Sequence, residues 1–386
     1  MNRKKICMIL GNPFVNDNRV LREAGALAKA GYRVKLFASQ YPKLLNYEKV
    51  DGFEVVRLKV KNYSPFRLKI YPYYTEFYKA YKRLVEEKAD IYHCHDLDTL
   101  LIGYLVARKN KAKIVYDSHE YWPSRTYFSK TAFDYLKVII REPIFHSMEK
   151  NLIKRVDAVI AANETSANAL SKHYKINRPI AIYNYHSIRN QKNSDILRES
   201  LNLKGMRIIL FLGGINKGRG ILELVKSLKF LPTDYHLVFL GTGPYKEKAE
   251  NLARERKVND RIHFPRAVPP TEVVKWASGA DVGVSPIQNI SKSYYFSSPN
   301  KVFEYLMAGL PIAVSDFPEM KRILFKYDVG ETFDPDDPKT IAKAVGKIFS
   351  SESRYKYLRN NAFKAVKEEY NWEMESKKLL ELYKNL

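Results

Sequence analysis

The feature that most constrains this chain is a strand–helix alternation that runs, stops and starts again. Short β-rich apolar runs recur at KICMIL (5–10), RVKLFA (33–38), EVVRLKV (54–60), DIYHC (90–94), KIVYD (113–117), DAVIAA (157–162) and PIAIYN (179–184). Amphipathic stretches lie between them. In 19–30, Val20, Leu21, Ala24, Leu27 and Ala28 share one helical face, and Gly31 supplies the stop. Residues 186–205, HSIRNQKNSDILRESLNLKG, are polar and lack strand character. The pattern then restarts with RIILFLG (207–213), HLVFLG (236–241), RIHFP (261–265), DVGVSP (281–286) and PIAVSD (311–316). Such alternation implies parallel sheets covered by helices on both faces. The expectation is an α/β chain of two Rossmann-like, doubly wound domains, 1–190 and 206–368. A closing helix, 369–386, with Trp372, Leu379, Leu380 and Tyr383 as its apolar positions, is expected to pack back on the first domain.

Several classes are excluded early. No apolar run reaches the roughly 18 residues that cross a bilayer. The run Ile6–Leu10 behind the basic start is too short for a signal sequence, whose apolar region needs about 7–15 residues. The N-terminus therefore reads as the first strand of a cytoplasmic protein. Cys7 and Cys94 are the only cysteines, and neither sits in a Cys-x-x-Cys pair, so they read as buried thiols on strands. The charge is the unusual number: 66 Lys and Arg against 42 Asp and Glu leave +24. A surface of that sign attracts nucleic acid, anionic lipid or phosphorylated small molecules.

The strongest chemical signal is SSPNKVFEYLMAGLPIAVSD, 297–316. Pro299 and Asn300 start a helix whose apolar stripe is Val302, Phe303, Leu306 and Met307, and Gly309 ends it before Pro311. A helix start in a Ser-Ser-Pro-Asn-Lys loop points bare N–H groups outward, a ready phosphate site to which Lys301 adds a full charge. Glu304 lies one turn in, where a carboxylate can accept two ribose hydroxyls. By spacing alone, a capped surface helix fits these residues equally well.

The stretch resembles the nucleotide-sugar-binding segment of the family 4 glycosyltransferases of GT-B fold. Other segments follow in the family's order: NPFVNDNRVLREAGALAKAGYRV (12–34), IYHCHDLDTLL…KIVYDSHE (91–120), FLGGINKGRGILELVKSLK (211–229), HLVFLGTGP (236–244) and EYNWEME (369–375). The resemblance covers nearly the whole chain. It implies two domains facing across a cleft and a retaining transfer of sugar from a nucleotide-diphosphate sugar, with UDP-sugar favoured, to a glycan or lipid-linked acceptor. Glu304 would bind the donor ribose. Ser298, Pro299, Asn300 and Lys301 would cradle the diphosphate with Arg219, and Gly11 would close the site from the N-terminal side. Arg266 and Val268 would line the base pocket. His119, in YDSHE, would be the active-site histidine, although a histidine at a strand end is by itself more often structural. Glu120 reads as a cap at a helix start rather than a nucleophile.

Two departures mark this chain. The family's Glu, seven residues, Glu pattern has Phe296 in its first position, and the arginine that often follows the glycine after RIILFLG is Gly214. Arg219 and Lys217 would then carry more of the phosphate charge, as in a subgroup with a PNK-x-x-E helix. The implied chemistry uses the helix end, Arg219 and Lys301 to stabilise the leaving diphosphate, with no metal or other cofactor.

Tyr92-His93-Cys94-His95-Asp96-Leu97-Asp98 spells both a metal-ligand cluster and an Asp-x-Asp motif. A binuclear hydrolase needs His-x-His-x-Asp-His, and Leu97 and Asp98 fail it. Asp96 or Asp98 is expected to cap the helix that begins near Leu97. His93 and His95 are read as alternating to opposite sides of a strand end, a poor chelate. The resemblance puts His95 and Asp96 on the acceptor side of the cleft.

Two basic aromatic stretches, 56–88 and 121–145, fit either an anionic membrane face or helices packed on the sheet. In the first, Phe77, Tyr78, Tyr81, Leu84 and Val85 share a face, with Lys79, Lys82 and Arg83 opposite. No RNA- or DNA-binding module is present, so nucleic acid is not an expected partner. Competing readings are a sugar-nucleotide epimerase or hydrolase of the same fold, a metal-dependent hydrolase centred on His93, His95 and Asp96, and a non-catalytic nucleotide-sugar sensor.

Overall fold

The computed structural model describes residues 3–15, 17–59, 70–124, 132–188 and 194–386, with the side chains of 70–74 and 132–141 outside the description. Parts of both basic aromatic stretches, 60–69 and 125–131, and of the polar break, 189–193, lie outside the described residues. The chain divides into two compact units, Met1–Asn184 with Glu375–Leu386, and Tyr185–Met374.

In the first unit the strands are β1 (Lys5–Leu10), β2 (Arg33–Ser39), β3 (Tyr47–Val50), β4 (Phe53–Leu58), β5 (Ile91–His95), β6 (Lys113–Ser118), β7 (Ala158–Ala161) and β8 (Ile180–Ala181). Their order across the sheet is β3-β4-β2-β1-β5-β6-β7-β8. All neighbours are parallel except β3 and β4, an antiparallel edge pair. β3 was not legible in the sequence, because YEKV is polar and half-exposed, as an edge strand allows. The central strands are buried on both faces, so they read as continuous apolar runs. The chain winds outward from β1 and then returns to add β5 on the other side, so the topological switch lies between β1 and β5. Open α/β sheets bind ligands at the carboxyl ends of strands there.

The second unit has β9 (Arg207–Leu212), β10 (Tyr235–Leu240), β11 (Ile262–His263), β12 (Val282–Ser285), β13 (Ile312–Ser315) and β14 (Gly330–Phe333), all parallel. Their order is β11-β10-β9-β12-β13-β14, so the switch lies between β9 and β12. The polar break holds a short helix, Ile196–Ser200. The closing helix, Trp372–Lys384, begins in the second unit and ends in the first. Of its apolar positions Trp372, Leu379 and Tyr383 are buried, whereas Leu382 takes the buried place expected of Leu380.

Cys7 and Cys94 are buried free thiols, and burial raises the pKa of both. On the Ile70–Glu86 helix, Ala80 and Leu84 are buried but Tyr78 is exposed, with the Lys82 ammonium over its ring at 4.7 Å. Its aromatic face is thus only partly committed to the core. Among the described residues no helix is long and apolar enough to cross a membrane.

Candidate active site

The expected site residues fall into two groups, one at the strand ends of each unit. In the first unit Gly11 follows β1, and a Cβ there would lie 2.0 Å from Asp98 Oδ2, so a larger residue would displace that carboxylate. Asp96 follows β5 with φ 63 and ψ 167, a conformation nearly confined to glycine. Its side chain does not cap the Leu97–Asn110 helix as expected. Instead Oδ1 accepts the His119 backbone N–H and the Trp122 indole N–H, each at 3.1 Å, and Oδ2 lies 3.3 Å from His119 Nδ1. Strain at Asp96 is thus held in place by bonds to the loop after β6.

His119 is gripped on both ring nitrogens. Nε2 lies 3.1 Å from Asp117 Oδ2 and 3.2 Å from His95 Nδ1. Burial alone would lower its pKa, but the Asp96 and Asp117 carboxylates outweigh it and raise the value to about 9. Asp117 is fully buried and is the hub. Arg19 binds it with Nη2 at 2.7 Å and Nε at 3.1 Å, and also donates to the Ile182 carbonyl. Burial would push the Asp117 carboxyl up, but Arg19 and then His119 hold it well below the usual range. Glu23, one turn beyond Arg19 and paired with it at 3.1 Å, is pushed up to about 8 by burial and by the charge of Asp117.

The histidine pair corrects an expectation. His93 and His95 are two residues apart on β5, so their side chains leave the same face. Their rings stack at 4.2 Å, and His93 Nδ1 meets the Tyr383 hydroxyl of the closing helix at 2.5 Å. Burial lowers the pKa of both. Glu23, His93, His95 and Asp117 each offer a ligand-type atom within 4.8 Å of the others, a grouping that could hold a metal ion. Arg19 already brings positive charge to both of its carboxylates. Both Nε2 atoms and both Glu23 carboxylate oxygens lack a hydrogen-bond partner among the described residues.

In the second unit the Asn300–Met307 helix starts after Pro299 with no side-chain cap, and Gly309 at φ +71 ends it. Val302, Phe303, Leu306 and Met307 are buried, as their spacing required. The Lys301 ammonium lies 3.4 Å above the Phe211 ring of β9, and the Arg219 guanidinium 5.2 Å above Tyr294. Neither cation has an ion-pair partner among the described residues. Burial, reinforced by Arg219, holds the Lys301 pKa well below the ordinary lysine value. Aromatic faces stabilise cations without neutralising them, and an anion beside Lys301 would favour its charged form.

Tyr305 fixes this helix end to the sheet. Its hydroxyl accepts the Leu212 N–H at 2.8 Å and donates to the Val284 carbonyl at 3.0 Å, joining β9 and β12 at the switch point. Gly283 gives the ring its space, since a Cβ there would lie 2.1 Å from Tyr305 Cγ. Glu304 is half-buried and bonded to His186 Nε2 at 3.3 Å. Ser298 and Pro299 are half-buried and Asn300 is exposed. Arg266 is exposed and Val268 half-buried in the loop after β11, the edge strand two places from β9.

Sequence reasoning missed Arg19, Glu23, Asp117 and Tyr383 in the first group, and Phe211, Tyr294, His186 and Tyr305 in the second. Asp117 did carry a signal: two residues before His119 in YDSHE, it closes a strand that points at the same end of the sheet. Tyr383 carried none.

Residues 17–184 match the family described as Glycosyltransferase Family 4, and residues 193–365 match Glycosyl transferases group 1. The chain is a glycosyltransferase of family 4 type. An uncharacterised glycosyltransferase of Methanocaldococcus jannaschii is 24% identical over 372 residues, covering 94% of this chain and 92% of its own. The alpha-monoglucosyldiacylglycerol synthase of Streptococcus pneumoniae is 21% identical over 311 residues, covering 77% and 67%. Among solved structures, sucrose-phosphate synthase from Thermosynechococcus elongatus has a TM-score of 0.79 at 20% identity over 99% of each chain. Anabaena HepE in complex with UDP-glucose has a TM-score of 0.74 at 13% identity, over 99% of this chain and 100% of that one. These likenesses establish the GT-B architecture of two parallel-sheet α/β domains.

Proposed function

We propose that this glycosyltransferase is a retaining enzyme of the PNK-x-x-E subgroup. It moves a sugar from a UDP-sugar to a glycan or lipid-linked acceptor in cell-surface polysaccharide or glycolipid synthesis. The observation that carries the reading is the pair of cations at the Asn300–Met307 helix start, Lys301 and Arg219, held on aromatic rings without a carboxylate partner among the described residues. A diphosphate supplies the missing negative charge, and the uncapped helix start supplies backbone donors. Ser298, Pro299 and Asn300 complete the phosphate cradle of the second unit, and Gly11 is assigned to the diphosphate as well. Glu304 accepts ribose hydroxyls, and Arg266 and Val268 flank the base. The UDP-glucose complex of HepE and the lipid product in the name of the pneumococcal synthase support these choices of donor and acceptor.

In the reaction the bond between the sugar C1 and the diphosphate oxygen breaks, and the acceptor oxygen bonds to C1 on the same face. The acceptor proton passes to the leaving phosphate. Negative charge grows on the β-phosphate, and Lys301, Arg219 and the helix start stabilise it without a metal. His119, kept cationic by Asp96 and Asp117, acts on the donor as a fixed positive charge, since both ring nitrogens are already engaged. His95 and Asp96 lie toward the acceptor. The protein works in the cytoplasm, and its basic aromatic stretches 56–88 and 121–145 meet the anionic inner face of a membrane.

The test is turnover of UDP-, GDP- and ADP-sugars with and without EDTA and lipid extract, with the product anomer read by NMR. UDP-sugar consumption that needs an acceptor, survives EDTA and retains the anomeric configuration is expected. Conversion without acceptor would make the protein an epimerase or hydrolase, and loss of all activity on chelation would overturn the metal-free reading.

A further inference from the structure

We infer that His186 is a positioning residue for the nucleoside site, holding the Glu304 carboxylate through Oε1 and leaving Oε2 to the ribose; this rests on Glu304 being the ribose-binding group. A carboxylate only accepts, so the imidazole Nε2 donates to Oε1 across 3.3 Å. Both side chains are half-buried, in a place where a lone carboxylate would otherwise swing between rotamers. His186 is itself firmly placed. Its carbonyl accepts the Trp372 N–H at 3.0 Å, and the following Ile188 N–H bonds to Glu373 at 3.2 Å. The preceding Tyr185 packs edge-on against Phe303, the neighbour of Glu304, at 4.4 Å and against Tyr370 at 5.6 Å.

The location gives this contact a consequence. The chain enters the second unit between Asn184 and Tyr185 and leaves it between Met374 and Glu375. The segment 185–188 is therefore the first stretch of the unit, is bonded to its last stretch, and touches the nucleoside carboxylate. Nucleotide that engages Glu304 tightens its bond to His186 and, through the His186 backbone, the pairing with Trp372. No charge on His186 is needed for this, since a neutral imidazole also carries an N–H donor.

The experiment measures binding of UDP, GDP and ADP by calorimetry to wild type, His186→Ala, His186→Gln and Glu304→Gln. Amide exchange across 185–188 and 372–374 is followed in the same samples. His186→Ala is expected to weaken the tightest-binding nucleotide about tenfold, the loss of one hydrogen bond to a charged group. His186→Gln, which keeps a donor, should recover most of that, and nucleotide should slow exchange at Trp372 in wild type but not in His186→Ala. Wild-type affinity in His186→Ala alongside lost affinity in Glu304→Gln would overturn the inference and leave the nucleoside site standing. Wild-type affinity in Glu304→Gln, or no binding of any of the three nucleotides to wild type, would overturn the underlying reading as well. A weakened His186→Ala that His186→Gln fails to restore assigns His186 a packing role and also rejects the proposal.

Discussion

The strand ends of the two units handle charge in opposite ways. In the first unit Arg19, Glu23, Asp117 and His119 form a closed circuit in which every charged group faces an opposite one at about hydrogen-bond distance. In the second unit Lys301 and Arg219 rest on Phe211 and Tyr294, with no carboxylate ion-paired to either among the described residues. A closed circuit is intolerant of losing one member, because the partner is left buried and unpaired. An open pair of cations is tolerant, since removing one lowers the repulsion and desolvation that the unit bears without ligand. The first arrangement belongs to stability and orientation, the second to recognition of an anion.

The sharpest way to break this contrast is Asp117→Asn, which removes the carboxylate shared by Arg19 and His119 and leaves them only Glu23 and Asp96. It is expected to cost about 3–5 kcal/mol in urea denaturation, and a loss under 1 kcal/mol would mean the circuit is not closed. Lys301→Met should behave oppositely, leaving the denaturation midpoint unchanged or higher while weakening UDP about thirtyfold by calorimetry. A Lys301→Met protein that unfolds as readily as Asp117→Asn would erase the distinction.

Tyr305→Phe tests the scaffold beneath the second site. It leaves the Leu212 N–H and Val284 carbonyl without their partner, at a cost of about 1–3 kcal/mol, and should weaken UDP only a few-fold. The smallest effect is that of pH. Folded His119 keeps its proton up to about pH 9, whereas the unfolded residue releases it near 6.5. A raised pKa stabilises fully below the unfolded value, so this contribution is present below 6.5 and is lost as pH rises through 9. Glu23, raised from 4.5 to about 8, acts in the same direction over its own window. Urea midpoints should therefore fall between pH 6.5 and 9 in wild type and fall less in His119→Asn, which keeps Glu23.

Much of the fold was legible because it is written locally. Central strands such as KICMIL and RIILFLG are apolar on both faces, and the stripe Val302–Met307 has helical period, so each announces its element without reference to the rest. Two of the four edge strands escaped: YEKV pairs on one side only and can stay polar, and GETF adds to the far edge beside β13. At the sites, the helix start at Pro299-Asn300-Lys301 was readable because phosphate binding there depends on consecutive backbone groups. Asp96 or Asp98 was read as a cap, the usual role of such a residue, but the Asp96 carboxylate turns to His119 and Trp122 on the next strand's loop.

What the sequence determined by itself was therefore the sequential part: two α/β units, the family, and the helix start with its lysine and glutamate. Only the tertiary structure decided which charges meet. Arg19 and Asp117 are 98 residues apart, His93 and Tyr383 290, and His186 and Glu304 118. The physical reason is that periodicity and turn chemistry act over a few residues of chain, whereas these three pairs exist only where tertiary packing brings distant segments side by side. The same +24 composition could not distinguish a lysine neutralised by a carboxylate from one held over a phenylalanine ring.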